Sequence, residues 1–250
     1  MSMKKIIGAI AKCDRDFNLI EDGDRICVGV SGGKDSVLLL YALSLYQRTA
    51  LRYSGKHFDV IGIHLDMGFG GMDFTPIRQF CEEHNIEYVD YPTRLYDILK
   101  LHPDEKTGSI QCSLCSTLKK GAIVKAAQEY NCNKTAFAHH ADDAIETLFM
   151  NMIYGGRINT FTPYMHLSNS GMDFIRPLSY CLERMVAQTV IDERIPVVKS
   201  TCPNDGYTKR QETKELLNDL YQKYPMAHEN FLRALSNTEQ TKLWVKGHID

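Results

Sequence analysis

A chain of 250 residues that is 44% hydrophobic, 24% charged and 10% aromatic has the make-up of a folded globular protein, and this excludes a disordered, collagenous or low-complexity one. Its 29 Lys and Arg against 31 Asp and Glu give a formal net charge of −2, so a nucleic-acid partner needs a local basic patch rather than a global field. No apolar run approaches the roughly 18–20 residues of a membrane span, and residues 1–14 carry charges where a signal peptide needs an apolar centre; a cytoplasmic protein with no membrane partner is expected. Eight cysteines are too few for a disulfide scaffold at this length, so the question is which thiols sit together.

The periodicity predicts an amphipathic helix over residues 3–17, with Ile6, Ile7 and Ile10 on one face and Lys4, Lys5, Lys12 and Arg15 elsewhere. Residues 25–30 form a short buried strand that stops at Ser31-Gly32-Gly33, and residues 36–46 a helix apolar nearly all round. Strands at 60–65 and 86–91 flank a helix at 76–84. A helix at 118–130, a strand at 135–139 and a helix at 142–154 follow. Further strands are expected at 174–178 and 196–198, the second after a helix around 183–193. This alternation implies parallel pairing and a doubly wound α/β sheet with helices on both faces. From about Glu212 two helices form a small C-terminal lobe, giving an organisation of 1–20, 21–205 and 206–250. Ligands of such sheets bind at the carboxyl ends of the strands, where the loops beginning at Ser31, Asp66, Tyr91, His139 and Tyr180 share one rim.

The sharpest local signal is Ser31-Gly32-Gly33-Lys34-Asp35-Ser36, between a buried strand and a helix. Two glycines let backbone approach a phosphate, helix-start N–H groups and Lys34 favour an anion, and Asp35 can hold Mg²⁺. It is neither a Walker A loop, because Asp35 follows Lys34, nor a dinucleotide glycine motif. Cys112 and Cys115 form a Cys-x-x-Cys pair in a loop ahead of a helix, and Cys202 follows the strand expected at 196–198. Three thiolates without an obvious fourth ligand suit a [4Fe–4S] cluster with one open iron. A zinc site completed by a histidine, or plain burial of two small residues, are the alternatives. Cys13, Cys27, Cys81, Cys132 and Cys181 read as structural. In His139-His140-Ala141-Asp142-Asp143, one acid caps the following helix and the other serves Mg²⁺ or substrate; either histidine has a structural alternative.

The loop Ser31–Ser36 resembles that of the N-type ATP-pyrophosphatases. The resemblance implies that ATP is cleaved between its α- and β-phosphates, with Ser31, Gly32, Gly33, Lys34, Asp35 and Ser36 on the phosphates and His64 and Asp66 near the adenosine. Together with Cys112-Ser-Leu-Cys115, the 138–143 motif, residues 151–156 and Ile175-Arg176-Pro177-Leu178, the set is similar to the tRNA 2-thiocytidine synthetases over most of residues 1–235. That likeness implies an ATP-dependent tRNA thiolase with ATP, Mg²⁺ and a [4Fe–4S] cluster on Cys112, Cys115 and Cys202, acting on C2 of a cytidine. It further implies catalytic roles for Lys34, Asp35, Asp142 and Asp143, a nucleotide contact from His139, and a sulfur donor such as a cysteine desulfurase; Arg176 either orients a phosphate or base or is a surface salt-bridge partner. At the third ligand position Lys199-Ser-Thr-Cys202 keeps only the later cysteine of the pair common in that family. For tRNA the local basic patches are Lys4, Lys5, Lys12 and Arg15, and Lys119, Lys120 and Lys125; the first helix is also a candidate homodimer face. The competing readings are a cluster-bearing sulfur transferase on another nucleotide or small molecule, a lysidine-type enzyme with zinc, and a non-catalytic nucleotide and cluster sensor.

Overall fold

The computed structural model describes residues 3–68, 70–103, 110–202, 209–240 and 243. Six strands form one sheet in the order β3-β2-β1-β4-β6-β5. β1 (Arg25–Gly29), β2 (Asp59–Asp66), β3 (Glu87–Pro92), β4 (Lys134–Ala136) and β6 (Met172–Ile175) run parallel, so their carboxyl ends form one rim as expected. β5 (Tyr164–Leu167) pairs antiparallel with β6 and caps that edge.

Alternation along the strands divides the core. Ile26, Val28 and Val60 face α1 (Met3–Phe17), α2 (Lys34–Ser54), α3 (Thr75–Glu83) and α7 (Glu183–Asp192), whereas Cys27, Ile61, Ile63 and Phe174 face α5 (Cys112–Glu129). The sheet is thus covered on both faces. α1 buries Met3, Ile6, Ile10 and Cys13 in the first of these cores, so its apolar face is occupied within its own chain. Gly62 lets Leu40 approach, since a Cβ there would lie 2.5 Å from Leu40 Cδ2.

Several expectations are corrected. Residues 196–198 form no strand: Pro196 has no N–H to give a ladder, and Val198 donates its N–H to the Gly32 carbonyl at 2.9 Å. β6 ends at Ile175, because Pro177 opens a 3-10 turn over Pro177–Tyr180. β4 stops at Ala136, and α2 runs eight residues beyond the expected Tyr46, to Ser54, where Gly55 closes it at φ 69°. α4 (Leu95–Leu101) and β5 lie where no element was expected. β5 is a half-exposed edge strand whose Tyr-Met-His-Leu sequence lacks an apolar run.

The chain divides into two compact units: residues 1–142 with 161–208, and residues 143–160 with 209–250. The second holds most of α6 (Ala141–Gly155) with α8 (Lys209–Lys223) and α9 (Ala227–Ser236), joined by Phe149 against Phe231 at 5.0 Å and by the Tyr154 hydroxyl donating to Glu212 at 2.9 Å. In α8 Leu217 is buried and its neighbour Leu216 is exposed. The boundary expected at 205/206 lies outside the described residues. Among the described residues no helix is long and apolar enough to cross a membrane.

Candidate active site

The glycine loop is built to receive an anion. Gly32 sits at φ +87°, and a Cβ there would lie 3.0 Å from the Phe74 ring and 3.1 Å from Val198 Cβ, so only glycine fits. Gly33 occupies the N-cap of α2 without a side-chain cap, which leaves the helix start open to an external acceptor. Ser36 locks the loop, its hydroxyl donating to the Gly33 carbonyl at 2.9 Å and accepting from the Ser31 N–H at 3.2 Å. Lys34 is tethered to Asp35 at 3.1 Å and to Glu183 at 3.3 Å. Burial pulls the Lys34 ammonium down, but the two carboxylates outweigh it and hold its pKa above the ordinary value. Asp35 Oδ1 is buried without a hydrogen-bond partner, the kind of orphan oxygen a divalent cation satisfies.

Glu183 and Phe74, which sequence reading missed, belong to this site. Beyond β2, His64 stacks on Phe74 with ring centroids 3.6 Å apart, and its Nδ1 lies 3.1 Å from the Val30 carbonyl. Burial lowers the pKa of His64, so the ring is neutral at neutral pH. His64, Asp66, Met72 and Phe74 line a cavity of about 300 Å³ whose Phe74 wall also backs Gly32.

The cysteines are placed differently from expectation. Cys112 opens α5 itself and Cys115 lies one turn in, rather than in a loop before the helix; Cys, Ser and Ser are weak helix formers that hide its start. Cys115 packs on Met67, Leu95 and Leu99, so the unforeseen α4 builds its seat. Burial pushes the Cys115 thiol up, Lys119 opposes this, and Cys202 and Cys112 push it further. The three sulfurs are therefore electrostatic neighbours. Among the described residues no three His, Cys, Asp or Glu are gathered at metal-coordinating spacing, so binding would draw the thiols closer. The donor set, three thiols from two segments, fits a thiophilic centre. Cys202 follows Val198, which bonds Gly32, and Thr201, whose hydroxyl donates to the Gly70 carbonyl at 3.1 Å. One short segment thus touches the glycine loop at its start and carries a thiol at its end. The other five cysteines are buried and free, as expected of structural residues.

Asp142 is not the N-cap of α6. It lies in that helix's first turn, and its Oδ2 accepts the Glu183 N–H at 2.6 Å, capping α7 instead. His140 is buried, with Nδ1 3.7 Å from Asp142, and His139 lies 5.1 Å from the Phe161 ring. Arg176 is buried and not a surface ion-pair former. In the second unit Asp143 and Glu146 share the guanidinium of Arg210, at 3.3 and 3.0 Å, with Thr147 at 3.3 Å from its other nitrogen. Arg210 left no trace in the sequence reading, because nothing in the motif on α6 announces a partner on another helix.

Comparison with known proteins agrees with this arrangement. The PP-loop domain family matches residues 4–217. A tRNA-cytidine(32) 2-sulfurtransferase of Geobacter metallireducens is 37% identical over 96% of this chain and 92% of its own length. The chain belongs to the tRNA-cytidine(32) 2-sulfurtransferase family of PP-loop proteins. A Coxiella burnetii member is 35% identical over 96% of the chain and 92% of its own. Among solved structures, the U34-tRNA thiolase NcsA of Methanococcus maripaludis, described with its [4Fe–4S] cluster, superposes with a TM-score of 0.72. It is 23% identical, covering 97% of this chain and 80% of that one, and shares the fold. The matched residues include the glycine loop Ser31–Ser36, and the expected doubly wound fold is borne out.

Proposed function

We propose that this protein is an ATP-dependent tRNA sulfurtransferase that activates C2 of cytidine 32 as an adenylate and replaces its oxygen with sulfur. The cytidine O2 attacks the α-phosphate of ATP, pyrophosphate leaves, a sulfur nucleophile adds to C2, and AMP departs with the original oxygen. The observation that carries this reading is the segment from Val198 to Cys202, which links the PP-loop to the three-thiol group.

The chain's own residues divide the work. The open start of α2 and the Lys34 ammonium stabilise the charge that develops on departing pyrophosphate. Asp35, through its orphaned Oδ1, holds Mg²⁺ on the triphosphate, and the cavity beside His64 and Asp66 takes the adenosine. Asp142 acts through α7, fixing Glu183 and so Lys34. Cys112, Cys115 and Cys202 would hold the cluster, which when bound would supply a binding position for sulfide; sulfur from a donor such as a cysteine desulfurase arrives at the persulfide level and needs a two-electron thiol or electron-carrier reductant to become that sulfide. Eight free thiols suit a reducing cytoplasm. For tRNA docking we assign the face of α1 that carries Lys12 and Arg15. There Phe17 and Tyr180 are exposed 5.9 Å apart and Lys12 lies 5.0 Å from the Tyr180 ring, a combination suited to phosphates and unstacked bases.

The test is iron and acid-labile sulfide on anaerobically isolated protein beside Cys202→Ala, with mass spectrometry of nucleosides from tRNA incubated with ATP and sulfide. Four irons and four sulfides per chain, lost in the variant, with 2-thiocytidine formed only by the parent, is the expected result. Zinc in place of iron, or no thiolated nucleoside from the iron-loaded protein, overturns it.

A further inference from the structure

Five charged side chains other than histidines are buried in the described structure, and four of them have an opposite charge at hand. Asp14 has Lys56 at 3.2 Å, Asp24 has Lys134 at 2.9 Å, and Glu146 has Arg210 at 3.0 Å. Arg176 is the exception. It is 7% exposed, yet no ion pair reaches it among the described residues, and its Nε has no hydrogen-bond partner. Its contacts are the Thr162 carbonyl, 2.7 Å from Nη1, and the Phe161 ring, 5.0 Å from the guanidinium carbon. Burial alone lowers its pKa, with no carboxylate to offset the loss of water.

A buried cation without an anion is an expensive way to fill space. A neutral side chain of similar length would pack there without the desolvation penalty, which runs to several kcal/mol for a buried charge. The place is also specific. Arg176 follows the last residue of β6, on the carboxyl rim where sheets of this type bind ligands. Its backbone is pinned by its own N–H donating to the Pro163 carbonyl at 2.8 Å and by the Ser179 hydroxyl donating to its carbonyl at 2.7 Å. The Thr162 carbonyl and the Phe161 ring hold the guanidinium on that fixed backbone, and Phe161 also borders His139.

We infer that Arg176 is a phosphate subsite, completed when a substrate brings the missing negative charge to its unpaired guanidinium nitrogen. A guanidinium meets phosphate oxygens through two parallel N–H donors, geometry that a lysine cannot reproduce. The phosphate comes either from the adenine nucleotide or from the RNA backbone. This inference rests on the sulfurtransferase reading for the identity of those two ligands, but not for the existence of the subsite.

The experiment compares the parent with Arg176→Met and Arg176→Lys in thermal unfolding without ligand and in two binding titrations. One titration uses α,β-methylene-ATP with Mg²⁺, the other a 17-nucleotide anticodon stem-loop RNA. Arg176→Met should melt at or above the parent in the absence of ligand, because an unpaired buried charge has gone. It should weaken one titration by at least about tenfold, the order of a lost charged hydrogen bond, with Arg176→Lys recovering part of it. A change confined to the nucleotide assigns the subsite to ATP; one confined to the stem-loop assigns it to the RNA backbone. Arg176→Met melting well below the parent with both affinities unchanged would make the arginine a structural strut and overturn the inference. Nucleoside thiolation is read in a separate assay on the parent, so failure of that reading is distinguishable from failure of the subsite.

Discussion

Asp142 Oδ2 accepts the backbone N–H of Glu183 at 2.6 Å, and Glu183 in turn holds Lys34 at 3.3 Å. An acid of the His-His-Ala-Asp-Asp motif thus reaches the PP-loop through the first turn of α7 rather than by direct contact. Replacing Asp142 with Ala removes a helix cap worth about 1 kcal/mol and frees Glu183 to move. We expect a modest fall in melting temperature with a larger fall in the rate of pyrophosphate release. Asp142→Asn, which keeps an acceptor oxygen, should restore the melting temperature and much of that rate. Equal losses in both variants would mean that the charge of Asp142, and not its cap, is what the reaction uses.

Gly32 is the least replaceable residue of the loop. Ala there must adopt a left-handed conformation costing about 1–2 kcal/mol, and its Cβ would lie 3.0 Å from the Phe74 ring and 3.1 Å from Val198 Cβ, inside van der Waals contact. Because Val198 bonds the Gly32 carbonyl, the strain passes to the segment that carries Cys202. Gly32→Ala should therefore weaken nucleotide binding and also lower iron retention in anaerobic preparations. Nucleotide affinity lost with full iron content would show that the two sites are independent.

The glycine loop, the buried strands and the Cys-x-x-Cys pair were legible because each has a local cause: a backbone needing φ above zero, an apolar run, a fixed spacing. The antiparallel β5 was not, since half its side chains face solvent and nothing apolar marks it. Residues 196–198 read as a strand because Pro-Val-Val has the composition of one. Only the tertiary bond from Val198 to Gly32 reveals that the segment lies over the loop instead. Glu183 acts on Lys34 across 149 residues of sequence, Arg210 on Asp143 across 67 and Phe161 on Arg176 across 15, and no local pattern predicts such partners. Arg176 shows the intermediate case: its motif was visible, its burial without a counter-charge was not.

Arg210 carries a pH-dependent prediction. Burial and the neighbouring Asp143 raise the pKa of Glu146, and Arg210 opposes both. A carboxyl that binds its proton more tightly when folded destabilises the protein as pH rises: the penalty is absent below the unfolded pKa and complete above the folded one. Without Arg210 the folded pKa of Glu146 moves higher and the penalty grows. Arg210→Ala should cost about 2 kcal/mol at pH 8, the low side for a broken buried pair because the arginine side chain is 41% exposed. The deficit should shrink toward pH 5 as Glu146 takes up its proton. Melting curves of parent, Arg210→Ala and Arg210→Ala/Glu146→Gln across pH 5–8 check this, the double variant losing the pH dependence. A deficit independent of pH would locate the effect of Arg210 in packing alone.

Lys34 separates binding from chemistry. Its ammonium is held by two carboxylates, and removal of the side chain leaves Asp35 and Glu183 facing each other across the site without their shared cation. Each is partly exposed, so the effect on stability is small. The effect on reaction is not, because charge develops on the bridging and β-phosphate oxygens only as pyrophosphate departs. Lys34→Met should lower the rate of pyrophosphate release by roughly 10²–10³, the range for loss of one preorganised electrostatic donor. Affinity for α,β-methylene-ATP should fall much less, since the backbone of the loop and the start of α2 remain. Lys34→Arg restores charge but not shape, and the fork of its guanidinium suits Asp35 and Glu183 better than a single departing oxygen; partial rescue is expected. If Lys34→Met instead abolished binding and left the rate of the bound complex unchanged, the lysine would hold the ground state, and the transition-state charge would fall to Mg²⁺ on Asp35.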